Sequence, residues 1–329
     1  MSAPALRGLP RTVLRLHRAS LIVWTVFVLA AIAVLVWTVE VTADGALREQ
    51  DYCARHDRCT VLTTMAYADR ISLVGAFACY SFLAVAAFAG GALIGRELEN
   101  GTARLAWTQG VSPARWLAAK LAVPAVALVL GGTALVLAFR WGWGAHRSLL
   151  EDNWLFNTVF VPLGPALVAY ALCALAVGTL TALVLRRGLP ALSLSFLVML
   201  VLHAVLAFNR TSLWPTVTRV SSTYFDLPND VWVRENGTLL HGRRVEGVDY
   251  SLCDGRNPSQ TAECLREHGV TGYYAVYHPR SHYWPLHLVE TGIVLAVAAV
   301  AVLAAFRVLG RLTGGAHPRE EAAVRPPSP

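Results

Sequence analysis

The sequence predicts an all-α membrane protein with six transmembrane helices, both termini on the cytoplasmic side, and a small extracytoplasmic cap before the last helix. Three observations carry this expectation. Hydrophobic residues make up 55% of the 329 and charged ones 15%, against about 25% charged in an ordinary soluble domain. Six apolar runs, uncharged except for Glu290 in the last, meet the roughly 20 residues that a helix needs to cross about 30 Å of hydrocarbon. Basic residues between the runs collect on one side, which sets orientation. The mean hydropathy of +0.49 agrees with lipid as the main solvent.

Residues 19–39 form the first run, between Arg18 and Glu40. It outlasts the roughly 7–15 residues of a signal-peptide core, so it is a retained span. Before it, residues 1–18 carry Arg7, Arg11, Arg15 and Arg18 at helical spacing, with Leu9, Val13, Leu14 and Leu16 turned elsewhere. That pattern suits a short amphipathic helix on the cytoplasmic interface, begun at Pro10. The second and third runs are 71–95 and 121–139. The fourth holds Pro162 and Pro165 near its start, which places the span itself at about 163–185. The fifth is 188–208 and the sixth 286–306, within a segment 285–310. The tail, 311–329, is rich in Gly, Pro and charge and reads as disordered from Thr313. Residues 209–284 are too long for a structureless loop. They form a small cap in which 230–233 and 273–277 suit short strands, and Asn236-Gly237 suits a turn.

With the N-terminus inside, segments 1–18, 96–120, 186–187 and 307–329 hold a net charge of +10, and the rest of the chain −3. The excess therefore faces anionic lipid rather than nucleic acid. Cys53 and Cys59 fall in the first outside loop, and Cys253 and Cys264 in the last. An even set on the oxidising side points to disulfides. Local pairing is the expectation, although four cysteines allow three connectivities. Lys120 is the only lysine. With the Ala, Leu and Val bias, this suits a GC-rich, actinobacterial-like genome and a bacterial plasma membrane.

The informative stretch is 91–121, GALIGRELENGTARLAWTQGVSPARWLAAKL. Ala87, Gly91 and Gly95 make a small-residue face for close helix approach. The helix should run to Glu99 and break at Asn100-Gly101. Thr102 is placed to cap a short helix that Gly110 ends, and Ser112-Pro113 to start the next span. The product is a short helix held across the cytoplasmic face between two spans.

This stretch resembles the cytoplasmic coupling region of ABC transporter permeases of the type 2 exporter class. The matching residues are Glu97, Glu99, Gly101, Thr102, Ser112, Arg115 and Lys120, with Arg96 beside them. Pro113 stands where many members have a basic residue. The six-span layout, with a large outside loop before the last span, fits the same class. The resemblance implies that the short helix docks on a separate ATPase subunit, and that two permease copies, identical or related, frame the transport path. It implies a transport subunit rather than an enzyme. The chain has no GxxxxGK[ST] loop, so no cofactor is expected on it; ATP and Mg belong to the ATPase.

Glu290 lies about one turn inside the last span, where an acidic residue is expensive and often functional. Arg280 is a candidate partner. With His287 and His203 it lines an outer vestibule on the export path, or else the three hold the cap on the bundle. His278 and His282 are four apart, but Pro279 between them and the absence of HExxH argue against a metal. A second functional reading is a membrane-anchored sensor or assembly protein whose 209–284 cap binds an extracellular partner.

Overall fold

In the computed structural model, residues 18–56, 59–108, 110–150, 153–245, 253 and 257–314 are described. The amphipathic N-terminal helix and most of the tail lie outside them. Six helices are long and apolar enough to cross a membrane: α1 (Arg18–Cys53), α2 (Leu62–Glu99), α4 (Pro113–Ala145), α6 (Ala166–Leu185), α7 (Gly188–Ser212) and α9, within Arg280–Thr313. Between them lie the short helices α3 (Thr102–Thr108) and α5 (Asn157–Phe160), and α8 (Pro258–Glu267) sits in the cap. The last helix proper runs Tyr283–Gly314, so Thr313 and Gly314 are helical rather than part of a tail.

The expectation of an all-α chain is corrected by a four-stranded antiparallel sheet within the cap. Its strands β1 (Val217–Ser221), β2 (Trp232–Leu240), β3 (Arg243–Val245) and β4 (Val270–His278) lie in the order β1-β4-β2-β3. The expected segment 273–277 lies within β4, and of 230–233 only Trp232 and Val233 are strand, at the start of β2; Asn236-Gly237 is inside β2, paired with Ala275 and Tyr274. The hairpin turn falls instead at His241-Gly242, where φ is +47° and +78°. Two positive φ values joining Leu240 to its partner Arg243 suit a two-residue turn, and glycine takes the second without strain.

Packing centres on α6. In its most apolar stretch 78% of residues are buried, against 11% for α1. A helix apolar on every side has to be enclosed, and α9, α2, α7 and α4 enclose this one. Close approach depends on small residues. A Cβ on Gly178 of α6 would stand 2.7 Å from Ala89 Cβ and 2.8 Å from Ala86 O on α2. The expected Gly91 and Gly95 face does meet α7, at Leu192 and Gly188. However, Ala89–Gly95 is wound as a π-helix. Gly90 therefore also faces α7, against Ser195 and Ala191, and Ser195 Oγ donates to Ala86 O at 2.9 Å.

Prolines displace the start of the fourth span. Helix α6 begins at Ala166 after Pro165, and 161–164 is a buried turn following α5. The first helix instead overruns its apolar stretch, passing through a π turn (Thr38–Thr42) to Cys53. There the Glu49 carboxylate accepts from the backbone N–H of Thr64 at 2.7 Å, covering the start of α2, which lacks a side-chain cap of its own.

Glu99 meets Gly188, so the 96–120 loop and the 186–187 connection share one end of the bundle. At the cap end, Asn153 donates to Asn229 O, and Trp154 Nε1 donates to Asp230 O at 2.7 Å. The disulfides Cys53–Cys59 and Cys253–Cys264 are formed, as local pairing required. Cys79 and Cys173 are free and buried. Cys253 and Cys264 pack with Leu265 and Val270 as the core of the cap. Helix α8 beside them starts with a capping box between Asn257 and Gln260.

Candidate functional site: the 96–120 loop and a buried polar cluster

The loop follows the local rules that its sequence sets. Asn100 ends α2, and Gly101 turns the chain at φ +73°. Thr102 does not cap α3: its hydroxyl donates back to Glu97 O at 3.3 Å, while Gly101 O receives Leu105 N–H. Gly110, at φ +87°, closes the far side. Ser112 Oγ accepts from Arg115 N–H, with Pro113 in the first turn of α4. Helix α3 buries Ala103 and packs Trp107 edge-on against Trp116 at 5.7 Å. Its other face, with Arg104, Leu105 and Thr108, is exposed, and Leu105 is 60% accessible.

The two glutamates of this loop are engaged inside the chain. Glu97 forms an ion pair with the buried Lys120 of α4. Glu99 Oε2 accepts the backbone N–H of Gly188 at 2.9 Å, the first residue of α7. A carboxylate there satisfies a donor that the helix leaves free and complements its dipole. The α2 end of the crossing is thereby fixed to α4 and α7. Arg96, Thr102, Ser112 and Arg115 remain exposed and Gly101 is partly so.

At the opposite end, Glu290 is fully buried, and its partner is Arg210 rather than Arg280. Arg210 Nε donates to Oε2 at 2.7 Å and NH2 to Oε1 at 3.0 Å, a two-pronged contact. Tyr170 Oη donates to Oε1 at 2.8 Å, Asn157 Oδ1 takes a further guanidinium hydrogen, and the Phe160 ring lies 3.9 Å from the guanidinium carbon. Four elements thus meet on one charge pair: α5, α6, α9 and the turn that ends α7. Arg280 lies outside, 3.9 Å from Asp230.

His287, one turn from Glu290 on α9, accepts Ala166 N–H on Nε2 at 3.0 Å. It caps α6, whose own N-cap is Pro165 and has no side-chain donor or acceptor. Gly164 makes room: a Cβ there would come within 2.5 Å of the imidazole. His203 is buried among the rings of Tyr80, Phe82 and Tyr170, at 5.2–5.5 Å, and neither ring nitrogen has a hydrogen-bond partner among the described residues. The structure thus gathers all three expected residues around one end of α6. They do not line the apolar groove of about 760 Å³ between α1, α2 and α4. Tyr80 belongs to both, lining the groove and packing edge-on against His203.

Arg210, Tyr170 and Asn157 are not singled out by the sequence. Arg210 stands two residues beyond the apolar run 188–208 and falls with the outer loop, and Tyr170 looks like one more apolar residue in its span. An acidic residue in a span with no basic partner in any other span is the available signal. In the cap, Cys253, Cys264 and His268 come together, but the two sulfurs are bonded to each other.

Six apolar spans, one of them enclosed by its neighbours, define a multi-pass membrane protein. The chain belongs to the family described as ABC-2 membrane transporter related, whose model matches residues 25–210, more than half of the chain. That match takes in the first five spans and the whole 96–120 loop. No curated protein and no solved structure matches it significantly.

Proposed function

We propose that this chain is the membrane-spanning permease subunit of an ATP-driven exporter in a bacterial plasma membrane, with α3 as the contact for a separate ATPase subunit. The observation that carries this is the anchoring of the chain before α3. A short helix with an outward Arg104-Leu105 face crosses the end of the bundle, and the Glu97–Lys120 and Glu99–Gly188 contacts tie the end of α2 that leads into it to α4 and α7. A push on α3 is therefore passed to the spans instead of being absorbed by a slack loop. The net +10 on this side supports its facing the cytoplasm, with residues 1–18 and 307–329 on the same side. ATP and Mg sit on the ATPase. A second permease copy, identical or related, completes the path, and bilayer lipid covers the remaining apolar faces.

In this reading Glu97 and Glu99 are positioning residues and do not themselves touch the ATPase. Arg104→Glu and Leu105→Asp together should abolish co-purification of the partner ATPase, and ATP-dependent export with it, while the permease keeps its melting temperature. Undiminished ATPase capture by that double variant would remove α3 as the contact.

A further inference from the structure

His278 ends the central cap strand β4 and is fully buried. Its Nε2 lies 3.0 Å from the carbonyl oxygen of Thr211, in the turn that ends α7. A carbonyl only accepts, so Nε2 carries the hydrogen and the neutral ring keeps a lone pair on Nδ1. At 3.1 Å from that lone pair is Nδ1 of His282, in the turn that begins α9. His282 therefore donates from Nδ1, and its Nε2 is left at the half-buried edge. Two hydrogen bonds through one imidazole join β4 to the end of α7 and to the start of α9. Among the described residues no third carboxylate, thiol or imidazole completes a metal set around these nitrogens. The ligand of this pair is the proton.

We propose that the His278–His282 pair is a proton-sensitive latch fastening the cap sheet to the cap-side ends of the fifth and sixth spans. A proton taken up by His278 has to occupy the Nδ1 lone pair, which sets two N–H groups face to face and breaks the contact with His282. The surroundings oppose that charge. Arg234 lies on β2, Arg280 in the same turn as His282, and Arg210 beside Thr211, while Asp230 and Glu290 are engaged by Arg280 and Arg210. Burial holds the His278 imidazole below its ordinary value; Thr211 counters this, and His282 and Arg234 reinforce it. The sign follows: the latch is whole above the ordinary histidine value of about 6.5 and gives way as pH falls below it.

Hydrogen exchange on the full chain in lipid nanodiscs tests this, compared at about pH 7.5 and about pH 5 after correction for intrinsic rates, on either side of the histidine range. Wild-type protection in 211–217 and 270–282 should fall several-fold on acidification, because the fastened cap holds the added proton more weakly than the released one. His278→Gln keeps a donor for Thr211 and an acceptor for His282 but cannot titrate; it should hold its protection at both pH values. Unchanged wild-type protection, or a full acid loss in His278→Gln, would overturn the latch. Should that variant fail to fold, nitrogen NMR of histidine-labelled wild type decides instead. His278 as the Nε2–H tautomer at neutral pH supports the latch, and the Nδ1–H tautomer contradicts it.

Discussion

Two buried ion pairs stand at opposite ends of this bundle, and they are built differently. Lys120–Glu97, at the loop end, joins residues on either side of one short crossing, and the Glu97 side chain keeps 17% exposure. Arg210–Glu290, at the cap end, joins the ends of two spans 80 residues apart and is wholly dry. It has two direct contacts between its members, and Tyr170 and Asn157 fill further positions. A dry pair stabilises little overall, since desolvation offsets attraction, but losing one member leaves the other charge stranded. The cap-end pair therefore fixes one arrangement of α5, α6, α7 and α9 against alternatives. The loop-end pair is a softer tie, suited to an element that has to pass on movement.

The largest effect should come from Arg210→Met, which strands Glu290 and costs about 3–5 kcal/mol of stability, measured by thermal unfolding in detergent. Adding Glu290→Met should recover most of that loss. No recovery in the pair variant would mean that the site is held by something other than charge. Lys120→Met should be milder, on the order of 1–3 kcal/mol, because Glu97 can turn to water. It should also weaken ATP-dependent export more than ATPase capture. Equal losses at Lys120 and Arg210 would erase the distinction between the two ends. Glu99→Ala, which uncovers the Gly188 N–H, should cost about 0.5–2 kcal/mol. Glu99→Gln, still an acceptor, should cost less than Glu99→Ala.

The spans were legible because an apolar run of the right length has few other uses. The loop was legible down to Gly101, Gly110 and Ser112, since turns and caps obey rules a few residues long. Contacts between distant segments were not. That Glu99 covers Gly188 depends on the α6–α7 hairpin lying beside α2, which no local pattern encodes. Arg210 was hidden by the edge of a hydropathy window, and a single 3₁₀ turn, Arg210–Ser212, brings it back against Glu290. Asn236-Gly237 has turn composition, but the pairing of β2 with β4 overrides it. Local propensity is a weak preference that tertiary pairing readily reverses.

The central claim is that α3 meets the ATPase through its exposed face while Glu97 and Glu99 hold it from behind. A photo-crosslinking amino acid placed at Leu105, in cells making both chains, tests it most directly, with the exposed Leu194 of α7 as the comparison site. Crosslinks to the ATPase from position 105 and none from 194 are the expected result. An intact complex that gives no ATPase crosslink from 105 would contradict the account.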